Sequence, residues 1–190
     1  MRKDSVCTGK QKLCIFSHSG RATAPRCNAA WTVARSGEST VIPDFLDGVL
    51  PDGIHICTLE DVVERFGRFQ GSPIDDLASQ VRYVQEVRNL GIAVAIIIDG
   101  SYVTMKAKPN DIDLILVLRH DASLGRELTP TEYRVQSKRM LKKEYGFDIL
   151  VSVPNSSRFV ERLDLFCQTR PGDPWLQTGR KTKGLLRIDL

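Results

Sequence analysis

The chain has 190 residues, 42% of them hydrophobic and 26% charged, and a formal net charge of +4, which bounds it to one domain with a respectable core. The charge is lopsided. Residues 1–40 carry seven Lys or Arg against Asp4 and Glu38, while the rest carries 20 basic and 21 acidic side chains, so the body of the chain gives no lead to a charged partner. No stretch approaches the ~20 apolar residues of a membrane span, and five cysteines without a C-x-x-C spacing argue against a disulfide framework or a zinc site and for a reduced, cytoplasmic protein.

Residues 1–40 show no sustained hydrophobic period and read as a flexible basic tail; an organelle transit segment or an arm touching nucleic-acid phosphates would share that composition. A single domain is expected over 41–190. "VIPDFLDGVLPDGIH" reads as a looping lead-in. Thr58 and Asp61 form a capping box for a helix whose apolar face is Leu59, Val62, Val63 and Phe66, with a stop at Gly67. Ser72 caps a second helix that ends at Gly91. "IAVAIIID" (92–99) is a continuous, β-branched run and predicts a buried strand, as does 111–118. Thr129, Pro130 and Glu132 open one helix running to Gly146. "FDILVSV" (147–153) predicts another strand. "SSRFVERLDLFCQ" places Phe159, Val160, Leu163, Phe166 and Cys167 on one helical face, and "GLLRIDL" (184–190) predicts an edge strand. The alternation predicts an α/β (α+β) fold, a mixed sheet of about four strands flanked by helices.

Within "DGSYVTMKAKPNDIDLILVL" (99–118), Asp111 and Asp113 lie two apart and therefore face the same side of a strand. Asp111 alone is explained by capping the Pro-Asn-Asp turn. Asp113 is not, because it sits between Ile112 and Leu114, and a buried carboxylate without a partner costs several kcal/mol. Lys106, Lys108 or a divalent cation should face it. Asp148 interrupts another aliphatic strand near its start. If the two strands are neighbours, ~4.8 Å apart, three carboxylates converge. Gly100-Ser101, directly after the strand ending in Asp99, offers a close backbone approach and an anion-binding nest for phosphate.

A strand, Gly-Ser, a nine-residue linker, Asp-x-Asp on a second strand and Asp on a third: this order of parts resembles the polymerase-β-like nucleotidyltransferase superfamily. The resemblance covers 92–153. "LPDGIHICTLEDVVERF" with "GSYVTMKAKPNDIDL" further resembles an uncharacterised, mostly bacterial group of nucleotidyltransferase-like proteins. It implies a nucleotidyltransferase-type core and Mg²⁺- or Mn²⁺-dependent transfer of a nucleoside monophosphate from an NTP, such as ATP, to an acceptor: an RNA end, a protein hydroxyl or a small molecule. Asp111 and Asp113 would ligate both metals, Asp148 the metal that activates the acceptor hydroxyl, and Gly100-Ser101 would grip the triphosphate. In place of the Arg-Gly pair of many small members stands "YVTMKAKPN", where Tyr102, Thr104, Lys106 and Lys108 are the candidates for triphosphate contacts. A toxin–antitoxin partner, if any, would be a separate chain. The rival expectation is the same fold used as a nucleotide-binding or regulatory module with little catalysis.

Overall fold

The structure, a computed structural model, describes residues 42–69, 74–107, 109, 111–120, 127–170, 172–173, 176 and 179–190, with the backbone alone at 67–69 and 74–77. The basic tail, the Ser72 cap and Lys108 lie outside these residues.

Local chemistry starts the helices where the sequence predicts. The Thr58 hydroxyl accepts from the Asp61 amide at 3.1 Å, and the Asp61 carboxylate accepts from the Thr58 amide at 2.8 Å. Helix α1 (Leu59–Phe69) overruns the expected stop at Gly67 by two residues, since a glycine weakens a helix by about 1 kcal/mol without breaking it. Helix α2 (Ile74–Leu90) ends at Gly91, whose φ is 61°. The stretch read as one helix over 130–145 is two. Helix α3 (Pro130–Gln136) and helix α4 (Lys138–Tyr145) are separated by Ser137 in extended geometry, φ −83° and ψ 109°. The Ser137 hydroxyl accepts from the Met140 amide at 3.5 Å, so the residue serves as a cap rather than an interior position, the role serine prefers. Helix α5 (Ser157–Phe166) is capped by Ser156.

Among the described residues five strands, rather than about four, make the sheet. They are β1 (Ile54–Ile56), β2 (Ala93–Asp99), β3 (Ile112–Leu118), β4 (Phe147–Ser152) and β5 (Leu185–Asp189), in the order β1-β5-β2-β3-β4. β1 was hidden in the Pro- and Gly-punctuated lead-in because three residues carry no readable period. Its parallel pairing with β5 moves β5 from the expected edge into the interior, where β5 also pairs antiparallel with β2. β2 and β3 are antiparallel and β3 and β4 parallel, so the sheet is mixed.

Both faces of the sheet are covered, unequally. One carries Ile96, Ile98, Leu114, Leu116, Phe147 and Ile149 under residues of α1, α2, α3 and α4, including Phe66, Tyr83, Val135 and Leu141. The other carries Ala95, Ile97, Ile115, Val117 and Leu185 under the Phe159, Leu163 and Phe166 side of α5. Val160, expected on that apolar side, is 46% exposed. Among the described residues four helices cover the first face and one short helix the second, and the ends of β2, β3 and β4 on the α5 side line a cavity. Neither described cysteine, Cys57 or Cys167, is in a disulfide; both are buried, and burial pushes the Cys57 thiol up to about 12. No helix among the described residues is long and apolar enough to cross a membrane.

Candidate functional site

Alternation along β3 decides where the aspartates point. Ile112, Leu114 and Leu116 belong to the four-helix side and Ile115 and Val117 to the α5 side; Asp113, in the odd-numbered set, therefore faces α5. The parallel register sets Asp148 of β4 opposite Asp113, and the antiparallel register sets Asp99 of β2 opposite it from the other side. A row of three carboxylates thus crosses three adjacent strands at steps of ~4.8 Å, with Asp111 just ahead of it on β3. A slip of one residue in either ladder would turn one of these side chains to the opposite face.

The row opens into a cavity of about 670 Å³, walled on one side by the carboxylates and Gly100-Ser101 and on the other by the end of α5 and the segment after it, from Phe166 to Arg170. That volume lies within the range of small-ligand sites, about 300–1,000 Å³.

Among the described residues the lysines that meet these carboxylates come from outside the linker. Lys142 Nζ lies 2.9 Å from Asp111 Oδ2, and Lys138 Nζ lies 2.6 Å from Asp148 Oδ1. Four residues apart on α4, the two lysines share one helical face, and the break at Ser137 is what starts α4 just before Lys138. Lys183, in the approach to β5, forms a buried ion pair with Asp99. Among the described residues Asp113 has no ion pair. Burial raises its carboxyl above the ordinary range, the like charges of Asp111 and Asp148 raise it further, and Lys142 and Arg170 oppose them. The hydrogen bond to Asp111 raises Lys142 in turn.

Gly100 has φ +81°, and a Cβ there would stand 2.2 Å from Asp113 Oδ2. The close approach that glycine permits is therefore made, in the first place, by the site's own carboxylate. Ser101 and Lys106 line the cavity. Thr104 is wholly buried; its hydroxyl donates to the Ser101 carbonyl at 2.7 Å and accepts from the Lys106 amide at 3.2 Å, which shapes the turn from beneath and is a correction to its expected role as a phosphate contact. Tyr102 is likewise buried, its hydroxyl bonded to the Gln80 side chain at 3.0 Å.

Asp99, Lys138, Lys142, Arg170 and Lys183 escaped the sequence reading. Asp99 was legible as the carboxylate ending a buried strand, and Lys138 and Lys142 as a helical pair, but which charge each would meet depends on tertiary pairing.

Among the described residues no three His, Cys, Asp or Glu side chains stand ready to hold a metal ion. Asp111 and Asp148 are engaged by ammonium groups instead. The donor set nonetheless fits a hard divalent cation: carboxylate oxygens only, with Asp113 crowded by two like charges that a cation would relieve. Lys138→Ala with Lys142→Ala, which removes two competing ammonium groups, is expected to tighten apparent Mn²⁺ affinity about 2- to 30-fold, since exposed pairs of this kind contribute about 0.2–1 kcal/mol each. Titration calorimetry of the full chain checks it; unchanged or weaker affinity would refute the competition.

A family of unknown function, DUF6932, matches residues 43–189. No curated protein and no solved structure matches the chain.

Proposed function

The chain belongs to the DUF6932 family, and we propose that it is a Mg²⁺- or Mn²⁺-dependent nucleotidyltransferase with a nucleotidyltransferase-type core. It would move a nucleoside monophosphate from an NTP onto an acceptor hydroxyl. The observation that carries this reading is the in-register pair Asp113 and Asp148 on neighbouring strands, with Asp111 lining the same cavity beside Gly100-Ser101.

In this reading Asp111 and Asp113 would hold both cations and Asp148 one of them, and cations held there would supply positive charge to the phosphates and to the attacking and leaving oxygens. Gly100-Ser101 receives the triphosphate on its backbone N–H groups and the Ser101 hydroxyl, and Lys106 faces it from the linker. The acceptor oxygen forms a bond to the α-phosphorus, the bond from that phosphorus to the oxygen bridging to the β-phosphate breaks, and pyrophosphate leaves with the electron pair. The hydroxyl proton passes to the Asp148 carboxylate and from there to solvent. The acceptor class remains an RNA end, a protein hydroxyl or a small molecule, and a toxin–antitoxin partner would be a separate chain.

A second reading, a nucleotide-binding or regulatory module with weak turnover, is favoured by one observation: lysines pair with Asp111 and Asp148. Thermal shift with ATP, GTP, CTP and UTP, with and without Mg²⁺, followed by pyrophosphate release in the presence of cell extract, separates the two. Enzyme activity requires Mg²⁺-dependent binding and release; binding alone supports the module; neither would defeat both.

A further inference from the structure

We infer that Lys183 is the cation that receives the triphosphate at the floor of the cavity, and that Asp99 holds its ammonium in place for that task. The inference rests on the nucleotidyltransferase reading and adds to it a residue from the far end of the sequence.

Lys183 is only 5% exposed, yet it lines the cavity. Lysines are rarely buried to this extent, because desolvating an ammonium is costly. Its partner Asp99, 6% exposed, is the residue immediately before the Gly100-Ser101 bend. The ammonium therefore stands beside that bend and at the end of the carboxylate row. The backbone fixes it there as well. The Lys183 amide donates to the Cys167 carbonyl at 2.8 Å, and the next amide, Gly184, donates to the Leu50 carbonyl at 2.9 Å. A bridge between Gln168 and Thr182 ties the same segment to the wall that carries Arg170.

A pair serving stability alone could be replaced by apolar groups, which is commonly neutral or favourable for a buried ion pair. Here both members line a cavity, where four other carboxylates, Asp111, Asp113, Asp148 and Asp173, would repel a triphosphate. An ammonium on the wall supplies the opposite charge beside the amides of the bend, and a charge-assisted hydrogen bond to phosphate is about twice as strong as a neutral one. Asp99 pairs with that ammonium and so holds it in place. No covalent step is involved; the role is binding.

The test uses the full chain and three variants: Lys183→Met, Asp99→Asn, and both together. The single variants leave one buried charge without its partner and are expected to lower the melting temperature, whereas the double variant, with both charges gone, should recover it. Binding of inorganic triphosphate and of Mg²⁺-ATP is then measured by calorimetry. In the double variant both are expected to be about 10- to 100-fold weaker than in the wild type, with a shallower dependence on salt. Recovery of stability together with wild-type affinity would overturn the assignment and leave the pair a structural one. If stability is not recovered, Lys183→Arg decides: affinity for inorganic triphosphate retained within about threefold supports the role, and loss equal to that of Lys183→Met overturns it. A wild type that binds neither probe would refute the nucleotidyltransferase reading itself, and this assignment with it.

Discussion

Asp113→Asn is expected to remove NTP-dependent turnover by at least about a hundredfold while making the metal-free protein more stable. The second effect distinguishes the variant from a merely damaged one. Asp113 is raised above its ordinary range by burial and by Asp111 and Asp148, so ionising it costs more in the folded chain than in the unfolded one. For an acid raised on folding, ionisation at neutral pH costs stability, and the cost disappears as pH falls below the ordinary carboxylate range, where the group is protonated in both states. The asparagine variant should therefore melt on the order of 1–3 °C higher than the wild type at pH 7 in EDTA, and the gain should vanish near about pH 3. Added Mg²⁺ should raise the wild type and leave the variant nearly unmoved. Differential scanning at several pH values with and without Mg²⁺ checks all three. A variant that melts lower in EDTA at pH 7 would mean that Asp113 has a stabilising partner, and full turnover would remove it from the metal set.

Gly100→Ala should be nearly as damaging, by another route. The left-handed backbone at φ +81° costs an alanine about 1–2 kcal/mol, and its methyl would stand 2.2 Å from Asp113 Oδ2 and 3.1 Å from the carboxyl carbon. The first clash yields if the Asp113 carboxylate swings aside. The expected outcome is a folded protein, a few degrees less stable, whose Mg²⁺-dependent nucleotide binding falls at least about tenfold because the displaced group belongs to the proposed metal set. Thermal shift with Mg²⁺-NTP reads both quantities. Wild-type binding in this variant would show that the place of Asp113 is not critical.

What the sequence carries best is local. The apolar runs 92–99 and 111–118, the capping boxes at Thr58 and Thr129 and the left-handed Gly146 after α4 are all where alternation and capping chemistry put them. The shared face of Asp111 and Asp113 followed from the two-residue period alone. Asp148 could be placed beside them only once β4 was known to pair with β3, and that pairing is a long-range event with no local signature. The same limit hid β1, whose three residues are strand only because β5 lies next to them, and it hid Lys183, which looks like an ordinary solvated lysine until Asp99 is brought against it. The break at Ser137 was missed for a different reason. Thr129 to Gly146 has helical spacing throughout, and one serine can either continue such a helix or cap a new one; tertiary contacts decide.

The seat of β5 between β1 and β2 has a consequence for how the molecule is made. A growing chain leaving the ribosome can zip β2 against β3 early, but the middle of the sheet stays vacant until residues 185–189 emerge, more than a hundred residues after β1. Until then two rows of backbone amides and carbonyls lie open, and Asp99 waits without Lys183. A protein built this way closes its cavity last, once Lys183 and β5 have emerged.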